Sequence, residues 1–250
     1  MRTVGEVYDF LKVLAPLELQ MSFDNSGLQL GRLGAHVNRV LLALDVTQEV
    51  IDEASELGAQ LVISHHPMIF TPLKCVSDEK LLRLIERGIA VISMHTNLDI
   101  ADGGVNDALI SLVGAQCEGV LDADGFGRTG VLPQALLMDE FLIRCKTALK
   151  TGGLRYYDAG REVHHIAVMG GAGGDGVHAA FEKGCDTYLT ADIKYHHFLE
   201  AKELGINLID GDHFCTENPV IPVLADRLRA EFADVDFSVS KVHGQVISFI

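Results

Sequence analysis

The chain has 250 residues, of which 48% are hydrophobic and 25 are glycine, so it can bury a substantial core and is not a disordered protein. Its formal charge of −15 disfavours general binding to nucleic acid or to anionic membranes. No apolar run reaches the roughly 20 residues of a membrane span. The five cysteines form no CxxC pair and no signal peptide is recognised, so we expect a reduced, cytoplasmic protein.

Hydrophobic periodicity and capping residues predict alternating helices and strands. In the first half we expect helices over 3–15, 47–57, 78–87 and 105–113, and strands over 38–46, 60–64 and 89–94. In the second half we expect strands over 163–169, 185–190 and 206–210, and helices over 177–183, 194–204 and 216–231. Alternation near the C-terminus suggests an edge hairpin, with 235–239 as one strand and 247–249 as the other. Residues 121–160 are expected to be a less regular connector.

One spacing recurs four times along the chain. A glycine ends a helix, a mostly apolar run follows, and a His or Asp stands seven or eight residues after the glycine. The glycines are Gly58, Gly88, Gly184 and Gly205, and the polar residues that follow them include His65, His66, His95, Asp192, Asp212 and His213. Glycine readily takes the left-handed conformation that ends a helix, and the apolar run suits a buried parallel strand. Ligands gather at the carboxyl ends of such strands, so the repeat predicts a site there.

The repeat also predicts the architecture. The offset of 126 residues between Gly58 and Gly184 suggests two similar α/β halves, although an internal duplication is left open because such loops recur in unrelated α/β proteins. We therefore predict an α/β fold with largely parallel central sheets. The predicted halves are 1–122, which carries His65, His66 and Asp99, and 123–250, which carries His213 and Glu217. The predicted site lies at the strand ends, between the halves.

Three sequence elements supply metal-capable side chains. His65 and His66 precede the turn-forming Pro67, and Asp99 ends the segment that begins at His95. His213 follows a strand, with Glu217 four residues later in the first turn of the predicted helix. Three imidazoles and two carboxylates are too few ligands for two closed structural zinc sites but suit an open two-metal site. Each residue also has a plainer role open to it, such as a turn aspartate or a helix-start glutamate.

Six segments in chain order resemble the GTP cyclohydrolase 1 type 2 homologue family, also known as the NGG-interacting-factor-three-like dinuclear metal-binding proteins. They are Asp24–Gly31, Leu44–Thr47, Ser64–Pro67, His95–Asp99 with Gly104–Asp107, Gly170–Gly174 and His213–Glu217. The sequence departs from the family pattern at Phe23, where tryptophan is common, and in the segment Gly211-Asp212-His213. The second departure makes Asp212 a further ligand candidate.

The resemblance implies a two-metal site and an assembly. His66 and Asp99 would hold one ion, His65 and His213 the other, and Glu217 would bridge the two. The ions would be Zn, Fe or Mn, since mixed nitrogen and oxygen ligands admit all three. The resemblance further implies a ring-shaped homohexamer of the compact form, without an inserted domain.

Other motifs leave alternatives open. The segment Gly171–Gly176 matches GxGxxG, but Asp175 within it opposes an anion, so a tight turn is favoured over a phosphate site. Two roles are open for Asp192: it could hydrogen-bond to a metal ligand, or it could contact the substrate. His196 and His197 diverge on a helix and do not suit joint metal binding, while the remaining histidines carry no spacing argument. No GxSxG segment supports a serine nucleophile.

The function expected from the residues is metal-assisted hydrolysis of a small molecule, with His95 as the candidate for proton transfer. The family name points to ring-opening hydrolysis of GTP, or of a related nucleotide. Two alternatives remain open: a non-enzymatic metal-binding scaffold or metal-handling protein, and a metal-dependent phosphoesterase that uses the same pair of ions.

Overall fold

The computed structural model describes residues 1–250. Its strands are β1 (Arg2–Thr3), β2 (Gly27–Leu30), β3 (His36–Val37), β4 (Arg39–Ala43), β5 (Leu61–Ser64), β6 (Ala90–Ser93), β7 (Gln116–Val120), β8 (Arg128–Leu136), β9 (Arg155–Tyr157), β10 (Val163–Val168), β11 (Thr187–Thr190), β12 (Asn207–Asp210) and β13 (Asp236–Val239). Its α-helices are α1 (Val4–Leu14), α2 (Gln48–Leu57), α3 (Glu79–Arg87), α4 (Thr96–Ile100), α5 (Val105–Leu112), α6 (Met138–Leu149), α7 (Val177–Glu182), α8 (Tyr195–Leu204), α9 (His213–Glu217) and α10 (Val220–Glu231).

The first compact unit comprises Met1–Asp102 and Ile221–Gly244. Its main sheet has the order β13-β4-β5-β6-β2, in which only β2 is antiparallel to its neighbour. All four residues of β5 and of β6 are buried, as expected for parallel strands covered on both faces. Apolar residues of α2 and α3 pack with those of β4 and β5 to form the core of this unit.

The second compact unit comprises Gly103–Val220 and Gln245–Ile250. Its sheet has the order β7-β8-β10-β11-β12-β9. The three central strands, β10, β11 and β12, are parallel, whereas β7, β8 and β9 pair in the antiparallel sense. The predicted α/β class is therefore confirmed, with one largely parallel sheet and one mixed sheet.

The repeated glycine fixes the helix ends as predicted. Gly58, Gly88 and Gly205 are the C-caps of α2, α3 and α8, and each has a φ near +66° in the left-handed region. Gly184, two residues after the end of α7, has a φ of 77°. The helices start where side chains can accept from the first free amides: Thr47 caps α2 and Asp78 caps α3. Each strand then begins within a few residues, so its polar terminator is placed at the same sheet edge.

Three sequence predictions of secondary structure are wrong. The region 121–160 is not irregular, since it holds the nine-residue strand β8 and the twelve-residue helix α6. The predicted helix over 216–231 is two helices, α9 and α10, because Pro219 cannot donate the hydrogen bond that would continue the first. The predicted terminal hairpin does not form: β13 pairs in parallel with β4, and residues 247–250 form no strand.

The pairing of β13 also explains why the compact units differ from the predicted halves. The sequence prediction draws one boundary between residues 122 and 123, whereas the contacts divide the chain after Asp102 and assign Ile221–Gly244 to the first unit. Backbone bonds such as that from Asp236 N to Asn38 O, at 2.8 Å, hold this late segment against β4. No helix in the structure has the length and apolar content needed to cross a bilayer.

Candidate metal centre

In the first unit, three parallel strands end beside one another and deliver polar residues to one edge. Ala43 of β4 is paired with Ser64 of β5, and Ser64 is paired with Ser93 of β6. Asp45, His65, His66 and His95 follow these strand ends within two residues. The edge is the place where ligands gather in α/β sheets.

His65 and His66 lie side by side although adjacent residues of a regular strand point to opposite faces. The chain turns here: His66 N donates to Leu44 O at 3.0 Å, and the Ser64 hydroxyl donates to His66 O at 2.8 Å. The two ring centroids are 5.1 Å apart. His65 is fully buried, whereas the His66 side chain is 25% exposed.

His95 completes a group of three imidazoles. Its ring centroid is 5.2 Å from that of His65 and 5.7 Å from that of His66. One ring nitrogen from each of the three lies within 4.8 Å of the others, which is close enough for a shared metal ion. Sequence analysis assigned His95 to proton transfer, and its position permits either role.

Each of these histidines has its Nδ1 atom directed at an acceptor. His65 Nδ1 is 2.8 Å from Met94 O, His66 Nδ1 is 2.7 Å from Asp45 Oδ1, and His95 Nδ1 is 2.8 Å from Asp24 Oδ1. A carbonyl or an ionised carboxylate only accepts, so Nδ1 carries the proton in all three rings and Nε2 carries the lone pair. Metal-ligating histidines show this arrangement, because the outer hydrogen bond fixes both tautomer and ring orientation.

Asp99 adds a carboxylate to the three imidazoles. It lies on α4, whose first turn brings Asp99 N to within 3.1 Å of His95 O. Asp99 is 8% exposed, and its Oδ1 atom is 3.6 Å from His65 Nε2. A buried carboxylate beside an imidazole nitrogen, with mixed nitrogen and oxygen chemistry, fits a site for divalent cations.

The second unit contains the same kind of pair. His213 follows β12 and Asp192 follows the neighbouring strand β11, and His213 Nδ1 donates to Asp192 Oδ2 at 2.8 Å. His213 and Glu217 are four residues apart along α9, so they share one helix face, and His213 Nε2 lies 3.0 Å from Glu217 Oε2. Glu217 is 4% exposed. Asp192 therefore supports His213, which is one of the two roles the sequence left open.

The electrostatics of His213 favour a cation. The hydrogen bond that His213 donates to Glu217 raises the pKa of His213 to about 9, against the opposing effect of burial, with further contributions from the charges of Glu217 and Asp192. A positive charge is thus stabilised between this imidazole and two carboxylates. A divalent ion can replace the proton at Nε2, because metal binding to histidine requires and drives its deprotonation.

Asp212 is engaged in local structure. It has a φ of 75° and caps α9 by accepting from Cys215 N at 3.2 Å, and it also accepts from the Gln245 side chain. These contacts orient the helix that carries His213 and Glu217. Asp212 stays a predicted ligand candidate, and its Oδ1 atom is committed to the cap.

The backbone amides of the glycine-rich loop bond to other protein groups, and the loop lies against Glu217. Gly170 N donates to Asn106 Oδ1 at 2.9 Å and Gly171 N donates to Thr216 Oγ1 at 3.1 Å. The amides of Gly173 and Gly176 donate to carbonyls within the loop. Gly171 has a φ of 67°, and a Cβ atom there would overlap the Glu217 carboxylate. The loop is therefore a tight turn that allows the carboxylate to approach, as the sequence analysis favoured.

Sequence analysis missed the roles of Asp24 and Asp45. Asp24 accepts from His95, from both Thr96 N and Thr96 Oγ1, and from Ser26 Oγ. Burial raises the pKa of Asp24, but the hydrogen bonds from His95 and Thr96 outweigh it and hold that pKa well below its usual value. Asp45 directly follows the apolar run of β4, which is the signal that could have identified it.

Of the two neighbouring histidines on α8, His197 has a structural role. His197 is 3% exposed, with its Nε2 atom 3.1 Å from Asp175 Oδ1 and its Nδ1 atom 3.3 Å from Lys194 N. These contacts secure the start of α8. The sequence analysis expected His196 and His197 to diverge, but their ring centroids are 4.1 Å apart. Both ring nitrogens of His197 have other partners, which disfavours joint metal binding.

Comparison with known proteins identifies the family of this chain. The family model of Duf34/NIF3 (NGG1p interacting factor 3) matches residues 2–246. A relative from Clostridium perfringens named GTP cyclohydrolase 1 type 2 homolog is 33% identical over 99% of both chains. A Helicobacter pylori J99 protein named GTP cyclohydrolase 1 type 2 is 32% identical, covering 92% of this chain and 93% of its own.

Solved structures agree over the whole chain. The crystal structure of a Bacillus cereus protein related to NIF3 has a TM-score of 0.93 and 25% identity over 99% of both chains. Reduced HcgD from Methanocaldococcus jannaschii has a TM-score of 0.84 and 29% identity over 96% of this chain and 98% of its own. The family resemblance drawn from the six segments is thereby confirmed, and the chain belongs to the Duf34/NIF3 (NGG1p interacting factor 3) family.

Proposed function

We propose that this protein binds two divalent metal ions per chain and uses them to hydrolyse a nucleotide or a related small molecule. In the ligand set implied by the family resemblance, His66 and Asp99 would hold one ion, His65 and His213 would hold the other, and Glu217 would bind both. Zn, Fe and Mn all suit these nitrogen and oxygen ligands.

The observation that carries the metal proposal is the orientation of the histidines. His65, His66 and His213 each direct Nδ1 at a carbonyl or carboxylate acceptor, at 2.7 to 2.8 Å. Asp99 and Glu217 are buried carboxylates, and each lies beside a histidine Nε2 atom. Buried carboxylates are usually paired or bound to metals, so both halves of the proposed ligand set have the chemistry of a cation site.

The hydrolytic proposal follows from the open ligand set. Divalent ions at such a site would make water a stronger nucleophile near neutral pH and would polarise the electrophile. Asp99 and Glu217 serve as ligands rather than as the general base. His95, anchored through Nδ1 to Asp24, offers Nε2 to accept or return a proton. The name of the Helicobacter pylori relative supports a nucleotide substrate, with ring-opening hydrolysis of GTP as the specific reaction to test.

An activity assay with a matched pair of variants tests the proposal. Metal-replete protein is incubated with GTP, other nucleotides and a panel of phosphoesters, and products are identified by mass spectrometry. We expect hydrolysis that Glu217→Gln abolishes and that Glu118→Gln, a change at an exposed residue of β7, leaves intact. A product carrying one added water with its phosphates retained indicates ring hydrolysis, whereas released phosphate indicates a phosphoesterase. Absence of turnover across the panel by protein that holds its ions would overturn the hydrolase proposal and leave a metal-binding scaffold.

Two further proposals rest on the sequence and the family resemblance. We propose a ring-shaped homohexamer, which light scattering coupled to gel filtration measures directly. We also propose a reducing, cytoplasmic location, supported by five cysteines that are all free thiols.

A further inference from the structure

Two exposed phenylalanine rings lie next to each other at the border of the imidazole cluster. Phe23 is 62% exposed and Phe70 is 48% exposed, and their ring centroids are 6.5 Å apart. The Phe70 ring is also 6.3 Å from the His95 ring, which it meets edge to face at 83°. The pair therefore extends the candidate site with an apolar, aromatic surface.

The backbone beneath these rings is held in place. The Asn25 side chain donates to Ile69 O at 2.6 Å, and Ile69 N donates to the Gln29 side chain at 3.1 Å. The Gln29 side chain donates in turn to Asn25 O at 2.5 Å. Both backbone groups of the residue before Phe70 are thus bonded to the segment that follows Phe23, so two exposed loops carry the rings in a fixed relation.

Such an arrangement points to a ligand. Single exposed apolar side chains are common, but two neighbouring aromatic rings on tied loops, beside convergent polar groups, are typical of a binding site. The rings are tilted by 49° to each other, which leaves ring faces for a planar molecule to stack upon. Stacking on aromatic side chains is a general way to bind nucleobases, because every base offers a π face.

The chemistry of the two rings favours a base over a phosphate next to His95. Phe23 and Phe70 offer neither a charge nor a hydrogen-bond donor to a phosphate, whereas their faces suit a planar heterocycle. The Phe70 ring lies 6.3 Å from the His95 ring, so a base stacked on the pair lies beside that histidine.

We propose that Phe23 and Phe70 form a stacking platform for a planar nitrogen heterocycle, such as the base of a purine nucleotide, and present that ring to His95. This inference rests on the proposed function and deepens it by naming the part of the substrate that reacts. It predicts chemistry at the heterocycle rather than at a phosphoester.

A tryptophan reporter tests the platform directly, because the chain contains no tryptophan. Phe70→Trp and Phe23→Trp each place a single fluorophore on the platform, and Phe181→Trp places one on an exposed residue of α7 as the control. We expect guanosine and GMP to quench both platform reporters saturably, with ribose 5-phosphate without effect and the control reporter unchanged. Equal quenching of the control, or no saturable quenching at either platform position, would overturn the inference.

Aliphatic variants and metal analysis separate this inference from the proposed function. Phe70→Leu keeps an apolar side chain but removes the stack, and we expect guanosine to bind about tenfold more weakly with unchanged metal content. A protein that binds its ions but shows no base stacking contradicts the platform alone. If Phe70→Leu instead changes the oligomeric state and leaves guanosine binding unaltered, the aromatic pair is an interface between copies and the inference fails.

Discussion

At the residue scale, the candidate site depends on which ring nitrogen of each histidine is hydrogen-bonded to a protein acceptor and which is left for a metal ion. In His65, His66, His95 and His213 the Nδ1 atom has an acceptor and Nε2 is directed toward the cluster or a carboxylate. The sequence could single out these histidines, because each follows an apolar strand. It could not identify Asp24 as a partner, because that contact joins residues 71 positions apart and no local pattern encodes it.

The partner of His213 provides the first prediction. Asp192→Asn keeps the size of the side chain but removes the charge that accepts from Nδ1, so we expect the affinity for the metal ion bound by His213 to fall about 10- to 100-fold. Competition with a chelating dye measures this change. Asp175→Asn is the matched control, since Asp175 also contacts a histidine but its side chain is fully exposed. Equal affinity in the wild type and Asp192→Asn would refute a supporting role for Asp192.

The charge of Asp24 provides a prediction of pH dependence. Its pKa in the folded protein lies below its usual value of 3.8, so the ionised carboxylate stabilises the fold. The full stabilisation is present at pH values above 3.8, and it is lost as the pH falls from there toward the pKa of the folded protein. We expect Asp24→Asn to lower the free energy of unfolding by about 2 kcal/mol at neutral pH, the size of a lost hydrogen bond to a charged group.

Urea unfolding of chelated protein, wild type against Asp24→Asn, measures the difference from about pH 7 to about pH 3. The difference should shrink below about pH 4, where the Asp24 carboxyl of the unfolded chain takes up a proton while that of the folded protein stays ionised. A difference that is constant over this range, or that grows on acidification, would show that the charge of Asp24 does not stabilise the fold.

At the element scale, the repeated unit of helix, glycine and strand was predictable because all its signals are local. Thr47, Asp78 and the glycines at 58, 88 and 205 begin or end helices as expected. Helix α6 was missed because it has neither a capping side chain at its start nor a glycine at its end. Leu137, at the N-cap, has no side-chain acceptor, and Lys150 occupies the left-handed C-cap position where glycine is expected. The pairing of β13 was missed because its partner β4 lies about 200 residues earlier in the chain.

The glycine-rich loop provides the prediction at this scale. Gly171→Ala places a Cβ against the Glu217 carboxylate and also adds left-handed strain of roughly 1–2 kcal/mol. We expect the variant to lose stability and to lose metal, because Glu217 must move. Gly58→Ala is the control, since Gly58 has a φ of 66° with no atom near the added Cβ. Metal content is measured by mass spectrometry alongside the unfolding midpoint; full metal content in Gly171→Ala would mean that the position of Glu217 does not matter for binding.

At the scale of the whole molecule, the sequence predicted an α/β protein of a known family, and both expectations are confirmed. Each compact unit has a buried core of its own, formed by its helices and the strands they cover. Each also has parallel strands whose carboxyl ends carry histidine and carboxylate side chains. The composition and the local repeat were sufficient for this outline. The place of Ile221–Gly244 in the first unit depends on the long-range pairing of β13 with β4, which no sequence pattern revealed.

The central claim is that His65, His66, Asp99, His213 and Glu217 bind a pair of divalent ions. Metal analysis of purified protein, combined with anomalous diffraction at the edges of Zn, Fe and Mn, tests it most directly. We predict two ions per chain, each in contact with these side chains, with occupancy lost in Asp99→Asn and Glu217→Gln. Protein that remains free of metal however it is prepared, or ions located away from these five residues, would contradict the claim.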